Sequence, residues 1–598
     1  MSAPSQFDQN ALEKLQYTFS DAVAAYSQGD ITKSEELCVS ILELDSNHAH
    51  TLNLLAAVRM QQNRAGDAQS ASLRATQLAP DDAIIWTGRS DVLNRSKDPD
   101  AALGAADRAI HLNKTMAQAH INRGIALVSL YRFSEAKKSL SEGLRINPAL
   151  KPIVLGNMVL LHGEEGQYET ARRIADDLAN EYPQDHGFAT IRARFSMYTP
   201  SISRRDEYER TSAIWAAAPD PNVRLSTASP STDLTPGRKL KIGYFSADFR
   251  DHPVSQFLKH VLSRHDRNNF DIALYDVTPN PDSAGREIRE LGDSCHCGLE
   301  QSDEELARKI HSDGVDVLVD LTGQFEGNRL SVFRYRAAPI QASWIGYSGT
   351  SGLPEMDYVI ADANVCPPGA EADFSEEIIR LPDHYLCFDS DSIRDAPVPS
   401  SPKDVPNVVF GSFNNHMKLN ADVIGVWAEI LKRVQGSLLF LKTGKFSNKN
   451  LRQHIRQQFE ARGIDGERLI LKSLLPRDEY LAAYNEIDIA LDPFPYCGTT
   501  TTIDALSMGV PVVTLIGERW IQRTSYGFLK GMSMEFLCAR TEQEYMNIAI
   551  ELAGDKERLS EMKVEGRRKF IESKICDPVL FTEHLENAYR SMTQKLAR

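Results

Sequence analysis

Positive charge is in short supply. The chain has 67 Lys and Arg against 82 Asp and Glu, for a formal net charge of -15. That balance, without clustered Lys and Arg, excludes general nucleic-acid or anionic-membrane binding as an expected role. It leaves room for a local basic pocket around a phosphate. Cysteine is sparse and scattered over Cys38, Cys295, Cys297, Cys366, Cys387, Cys497, Cys538 and Cys576. No small disulfide framework follows, and a reducing compartment fits. The one tight cluster, Cys295-His296-Cys297, has no second ligand pair, so no metal centre is expected there. No stretch approaches the ~20 apolar residues that span a bilayer, and Met1 to Asp8 show no basic segment leading into an apolar one. The expectation is a cytoplasmic protein with neither membrane nor nucleic acid as partner. The remaining composition, 42% apolar and 25% charged, is globular, and the length suggests about three or four domains.

The first positive signal is repetition. Ser34, Ala68, Ala102 and Ala136 stand 34 residues apart, and Leu44, Leu78, Leu112 and Ile146 keep the same interval. The small residue suits close approach of two helices. The large apolar residue is expected to seal the end of the second helix, and Pro80 and Pro148 to stop it. A helix–turn–helix period of 34 resembles the tetratricopeptide repeat and covers about residues 15–185 in five units. One unit cannot bury its own apolar face, so stacking supplies the core. A concave surface that holds a peptide or partner protein is expected; a scaffold or dimer support is the alternative. Asn53, Asn122 and Asn157 are candidates to bond a peptide backbone.

Residues 186–236, with Pro-, Ser- and Asp-rich stretches such as Ser229–Gly237, read as a connector. From residue 237 the pattern turns to alternating strands and helices. Val315–Leu321 is a near-continuous apolar strand, as expected when both sheet faces are covered. Residues 389–406 read as a crossing between lobes. A second alternation runs over 404–575, and 576–598 is a C-terminal helix. Two successive βα runs imply two doubly wound parallel sheets, over 237–390 and 404–575, with a ligand in the cleft beyond their strand ends.

Within the second lobe, Gly498 is followed by Thr499-Thr500-Thr501-Thr502 and Asp504. A strand end, a glycine turn and threonines opening a helix make an anion site from free amides, hydroxyls and the helix dipole. Asp504 is placed to accept from ribose hydroxyls. Helix capping alone, worth about 1 kcal/mol per residue, is the bland explanation, and four threonines exceed it. Lys418, in Phe413-Asn-Asn-His-Met-Lys, follows a strand end and can neutralise a diphosphate as a compact point charge. Asp389-Ser-Asp391 offers a rival, a metal-binding acidic pair of a different transferase fold.

Asp251-His-Pro-Val-Ser, Ala338–Tyr358, Phe413–Lys418 and Gly498–Leu506 together resemble the protein O-GlcNAc transferase family, which includes SPINDLY-like O-fucosyltransferases. The resemblance implies a solenoid of tetratricopeptide repeats followed by a GT-B type α/β region of two Rossmann-like lobes. It implies inverting, metal-independent transfer from a nucleotide sugar, UDP-GlcNAc or GDP-fucose, to Ser or Thr of a protein acceptor. No other cofactor is implied, and a homo-oligomer stays open. His252 matches the family's active-site histidine, a general base or an organiser of donor and acceptor. Lys418 matches the lysine on the leaving diphosphate, and Asn415 a nucleotide contact. Leu475 and Arg477 match the segment near base and phosphates. Thr499, Thr500 and Thr501 match the diphosphate turn, Asp504 the ribose acid, and His311 a structural histidine. The chain departs from the pattern at Thr499, Gln256 and Gln324, where many members have histidine. Thr499–Thr502 and Met508-Gly-Val-Pro look closer to SPINDLY-like members. A non-catalytic repeat scaffold with a nucleotide-sugar sensor is the alternative of a different class.

Overall fold

The computed structural model describes residues 6–225, 238–393 and 407–596. Most of the connector's Pro/Ser-rich part and of the 389–406 crossing therefore lies outside the described residues. The chain forms two compact units, Met1–Ile174 and Ala175–Arg598. Among the described residues, no helix is long and apolar enough to cross a membrane.

The first unit is a ladder of helix pairs: Gln6–Ser27 with Ile31–Leu44, Ala49–Gln61 with Ala65–Leu78, Ala83–Arg95 with Pro99–Leu112, and Ala117–Ser129 with Phe133–Ile146, followed by Lys151–Glu164. Ser34, Ala68, Ala102 and Ala136 are all 0% exposed, as close helix approach requires. Two of the four large apolar positions do not seal their helix ends, while Leu112 and Ile146 are half-buried. Leu44, Leu78 and Ile146 are the last residues of their helices, yet Leu44 is 72% and Leu78 39% exposed. Ten residues past Ser34, Leu44 has rotated roughly a quarter turn from the buried stripe of Ser34, Cys38 and Ile41, at about 3.6 residues per turn. A second periodicity sits in the tight turns: Gly29, Asn63, Lys97, Tyr131 and Gly166 all have φ between 57° and 81°. Asn122 does not face a peptide. It is fully buried, donates to the Thr87 carbonyl at 3.0 Å and accepts from Gln118 at 2.9 Å. Asn157 donates to Ile153 of its own helix at 2.8 Å.

The second unit holds two parallel sheets. In the first lobe the strands are β1 (Leu240–Ser246), β2 (Phe270–Asp276), β3 (Ser294–Cys297), β4 (Val317–Asp320), β5 (Ile340–Trp344), β6 (Tyr358–Asp362) and β7 (Glu377–Leu381). In the second they are β8 (Val409–Ser412), β9 (Leu438–Lys442), β10 (Leu469–Lys472), β11 (Ile489–Leu491), β12 (Val512–Leu515) and β13 (Cys538–Ala539). The spatial orders are β3-β2-β1-β4-β5-β6-β7 and β10-β9-β8-β11-β12-β13, so strand order reverses between β1 and β4 and between β8 and β11. Such reversals open a crevice at the carboxyl ends of the strands.

Every residue of β4 is buried because both faces of its sheet are covered. On one face lies the C-terminal helix Pro578–Leu596. Its Phe581, Leu585, Tyr589 and Met592 enter the core of the first lobe, and Phe581 stacks on Trp344 with ring centroids 5.9 Å apart. On the other face lie His186–Arg194 and Arg204–Ala217, whose Ile214 and Trp215 are buried there. Trp215 Nε1 donates to the Ser351 carbonyl at 2.8 Å. The helical part of the predicted connector is thus part of the first lobe.

Candidate active site

Strand ends of both sheets converge on one cavity of about 310 Å³ between the lobes. Asp248 and His252 follow β1, Phe325 follows β4, and Ile345 and Ser348 follow β5. From the second lobe come Asn414, Asn415 and Lys418 after β8, and Tyr496 and Thr499–Thr501 after β11. Tyr385 and Leu386 follow β7, and four of these strands, β1, β4, β8 and β11, flank the order reversals.

His252 ends an extended stretch and caps the helix Pro253–Leu262. Its Nδ1 accepts from the Val254 amide at 3.4 Å, a long and weak bond. Its Nε2 lies 3.8 Å from the Asp248 carboxylate. Burial holds its pKa below the usual 6.5, against the pull of Asp248. The ring is therefore neutral at pH 7. With Nδ1 accepting, the ring proton falls on Nε2, the nitrogen nearer the Asp248 carboxylate.

Lys418 ends the short turn His416–Lys418. Its Nζ donates to the Cys497 carbonyl at 2.8 Å and to Asn414 Oδ1 at 3.0 Å, and lies 4.0 Å from the Tyr496 ring centre. Burial pulls its pKa down to about 8, while Cys497 and Asp492 oppose the shift. The ammonium is held by neutral acceptors and an aromatic face, with no carboxylate in contact. That leaves its charge for an incoming anion.

The threonine turn is built on Asp492, 2% exposed, which accepts from Gly498 N and from Thr514 Oγ1, each at 2.7 Å. Thr499 caps the helix Thr500–Ser507 without a side-chain capping bond, so the helix opens onto the cavity. Thr501 Oγ1 donates to Asn414 Oδ1 at 3.0 Å, the atom that also receives Lys418. Asn414 thus ties the lysine to the threonines. The sequence singles out its neighbour Asn415, which also lines the cavity, is exposed at its rim and accepts from the Met417 amide at 3.1 Å. Thr502 is the exception among the four threonines. It is buried and shares a 2.8 Å hydrogen bond with Ser525. Gly498 is needed for close approach: a Cβ there would lie 2.4 Å from Thr502 Oγ1 and 2.7 Å from Thr501 Oγ1. Gly498→Ala is expected to splay the turn, lower the melting temperature by several degrees and weaken nucleoside-diphosphate affinity at least tenfold, as read by calorimetry.

Leu475, Arg477 and Asp504 do not line this cavity. Leu475 is half-buried. Asp504 is 1% exposed and burial raises its pKa; Arg477 Nη2 donates to one oxygen at 3.0 Å and Tyr480 Oη to the other at 2.8 Å. These groups sit one step beyond Thr501, whose carbonyl accepts from Tyr484 at 3.2 Å. Gln324 turns away to donate to the Ser351 carbonyl at 2.8 Å, and His311 is exposed at a helix end.

Two features carried no sequence signal. Ile345 lines the cavity at φ 63°, a conformation costing ~1–3 kcal/mol that a β-branched residue adopts only under constraint. Glu376, 4% exposed, accepts from Thr350 Oγ1 and the Ser351 amide at 2.6 Å each, and pins the loop that follows Ser348. The rival acidic pair is otherwise engaged: Asp389 accepts from Arg264 at 2.9 Å and contacts His260 at 3.0 Å. Among the described residues, no group of three or more His, Cys, Asp or Glu is placed to hold a metal ion.

The Glycosyl transferase family 41 model matches residues 226–395 and 400–585. A Petunia hybrida protein named probable UDP-N-acetylglucosamine–peptide N-acetylglucosaminyltransferase SPINDLY is 37% identical over 366 residues, 60% of this chain and 39% of the relative. The Arabidopsis thaliana protein with the same enzyme name and the suffix SEC is 28% identical, over 59% of this chain and 37% of its own. The chain thus spans about two-fifths of the length of these curated relatives. A solved structure, a lysine-to-methionine variant of Thermobaculum terrenum O-GlcNAc transferase, matches with TM-score 0.71 and 29% identity, covering 92% of this chain and 98% of that one. Since the family model spans more than half of the residues and both lobes that wall the cavity, the chain belongs to glycosyl transferase family 41.

Proposed function

We propose that the chain is an inverting protein O-glycosyltransferase that moves GlcNAc from UDP-GlcNAc to Ser or Thr hydroxyls of protein acceptors. One observation carries the reading: His252 of one lobe faces Lys418 and Thr499–Thr501 of the other across a single cavity. The donor diphosphate docks on the amides and hydroxyls of Thr499, Thr500 and Thr501, with the Lys418 ammonium on the oxygens that gain charge as the glycosidic bond breaks. Asn415 meets the nucleotide at the rim, while Leu475, Arg477 and Asp504 hold its nucleoside end. An acceptor hydroxyl attacks the anomeric carbon opposite the leaving diphosphate, which inverts it. His252, with its proton on Nε2, orients donor and acceptor; a base role requires the other tautomer and loss of the Val254 bond. Lys418 supplies the countercharge to the diphosphate without a metal, and the repeat array presents acceptor proteins.

GDP-fucose is the second donor reading. Relatives named SPINDLY are 34–37% identical to this chain, against 28% for SEC, and the threonine turn resembles SPINDLY-like members. Incubation with labelled UDP-GlcNAc or GDP-fucose, with and without a protein acceptor, decides between them. Label on Ser or Thr from one donor is the expected result. Absence of both transfer and acceptor-free donor hydrolysis supports the scaffold alternative.

The pH profile of kcat/KM is expected to be bell-shaped. Protonating His252 sets an Nδ1–H against the Val254 amide, so the acid limb falls below pH 6.5, because the pKa is depressed. Deprotonating Lys418 removes the cation, so the basic limb falls near pH 8 in the free enzyme. Activity that stays flat up to pH 9 contradicts the Lys418 assignment.

A further inference from the structure

Lys442 is the last residue of β9, and only 5% exposed. Among the described residues it makes no hydrogen bond and no ion pair. Its Nζ rests 4.2 Å from the centre of the Tyr480 ring and 5.9 Å from that of Phe413. Both oxygens of the nearby Asp504 are already taken, by Arg477 and Tyr480. Burial lowers the lysine's pKa, partly offset by Asp504. The side chain is largely buried, its ammonium has no acceptor among the described residues, and the aromatic faces satisfy only part of what three donors can offer. The missing partner is an acceptor atom.

The position says which acceptor. The ends of β8 and β9 are neighbours, and the loop after β8 carries Asn414 and Lys418. Tyr480 and Tyr484 bridge from Lys442 toward the threonine turn through Asp504 and the Thr501 carbonyl. A ligand anchored by its diphosphate at Thr499–Thr501 therefore extends its nucleoside along the strand ends toward Lys442. The surroundings are flat and aromatic, which suits a base ring better than a further phosphate.

We infer that Lys442 reads the nucleobase of the donor, donating to a ring carbonyl and so selecting keto bases over their amino counterparts. The inference rests on the diphosphate site proposed above. Lysine has only donors, so it pairs with O4 of uracil or O6 of guanine and rejects the N4 amine of cytosine or the N6 amine of adenine. A site that offers a donor to the base edge discriminates, because the amine of the wrong base brings a second donor against the ammonium and covers it without supplying an acceptor.

The test is calorimetric titration of the full chain with UDP, CDP, GDP and ADP. The wild type is expected to bind the keto member of its preferred pair about tenfold or more tightly than the amino member. Lys442→Met, an apolar near-isostere, should reduce that ratio to within about twofold, and Lys442→Arg, which keeps a donor, should retain most of it. Melting curves establish that both variants fold. Equal binding of keto and amino partners by the wild type, or an unchanged ratio in Lys442→Met, overturns the inference. If diphosphates bind in a Lys418-dependent way without keto preference, only this inference fails. If none binds, the diphosphate site fails with it.

Discussion

Lys418→Met is expected to lower sugar transfer by about 10²–10³-fold, the usual consequence of removing a donor that stabilises charge developing in the transition state. The side chain is held by Asn414 and the Cys497 carbonyl and lies over Tyr496, with no carboxylate to neutralise it. Methionine keeps most of the length and gives up the cation–π contact with Tyr496, worth about 0.5–2 kcal/mol, so the fold should persist. Diphosphate affinity should fall as well, and its decline above pH 8 should disappear, since the titrating group is gone. Lys418→Arg should not rescue transfer. A planar fork cannot occupy the geometry set by two acceptors at 2.8 and 3.0 Å and a ring 4.0 Å away. Substantial turnover in Lys418→Met counts against the leaving-group role.

The second large effect concerns His252. Its side chain has two jobs in one place, capping a helix through Nδ1 and lining the cavity. Alanine removes both, and loss of the cap alone costs about 1 kcal/mol. Asparagine separates them, since it is among the best N-cap residues but has no imidazole. Both His252→Ala and His252→Asn are expected to slow transfer by about 10²-fold or more. UDP or GDP affinity should stay within about threefold, because the proposed diphosphate contacts come from the other lobe. Only His252→Ala should lose stability, and the acid limb of the pH profile should vanish in both. Wild-type kinetics in His252→Asn reduce the histidine to a cap.

Much of this architecture is legible in sequence, for identifiable reasons. The interval of 34 at Ser34, Ala68, Ala102 and Ala136 survives because close helix packing tolerates nothing larger. The matching turns are invisible: Gly29, Asn63, Lys97, Tyr131 and Gly166 share a backbone conformation but no side-chain chemistry. Leu44 and Leu78 keep the period without sealing anything, because conserved spacing along a helix does not fix which face a terminal residue presents. The apolar stripe of Pro578–Leu596 announces a buried helix, yet nothing in it says that the core it enters belongs to the first lobe.

The site divides the same way. A strand, a glycine and threonines at a helix start are local, so the turn at Gly498–Thr501 can be read directly. Which of two adjacent asparagines turns inward is decided by the bend after β8: Asn414 meets Lys418 and Thr501, while Asn415 stays at the rim. Thr502 looks equivalent to its neighbours until the helix phase turns it onto Ser525. Asp504 reads as a free acid, because its pairing with Arg477 and Tyr480 joins residues 27 and 24 positions apart.

The most direct measurement is a crystal structure of the chain with UDP or GDP. The account places the β-phosphate within hydrogen-bonding distance of Lys418 Nζ and of the amides at Thr500 and Thr501, with the base ring beside Tyr480. A diphosphate bound away from the interlobe cavity, or one that leaves Lys418 on Asn414 and the Cys497 carbonyl with no phosphate oxygen in reach, contradicts it.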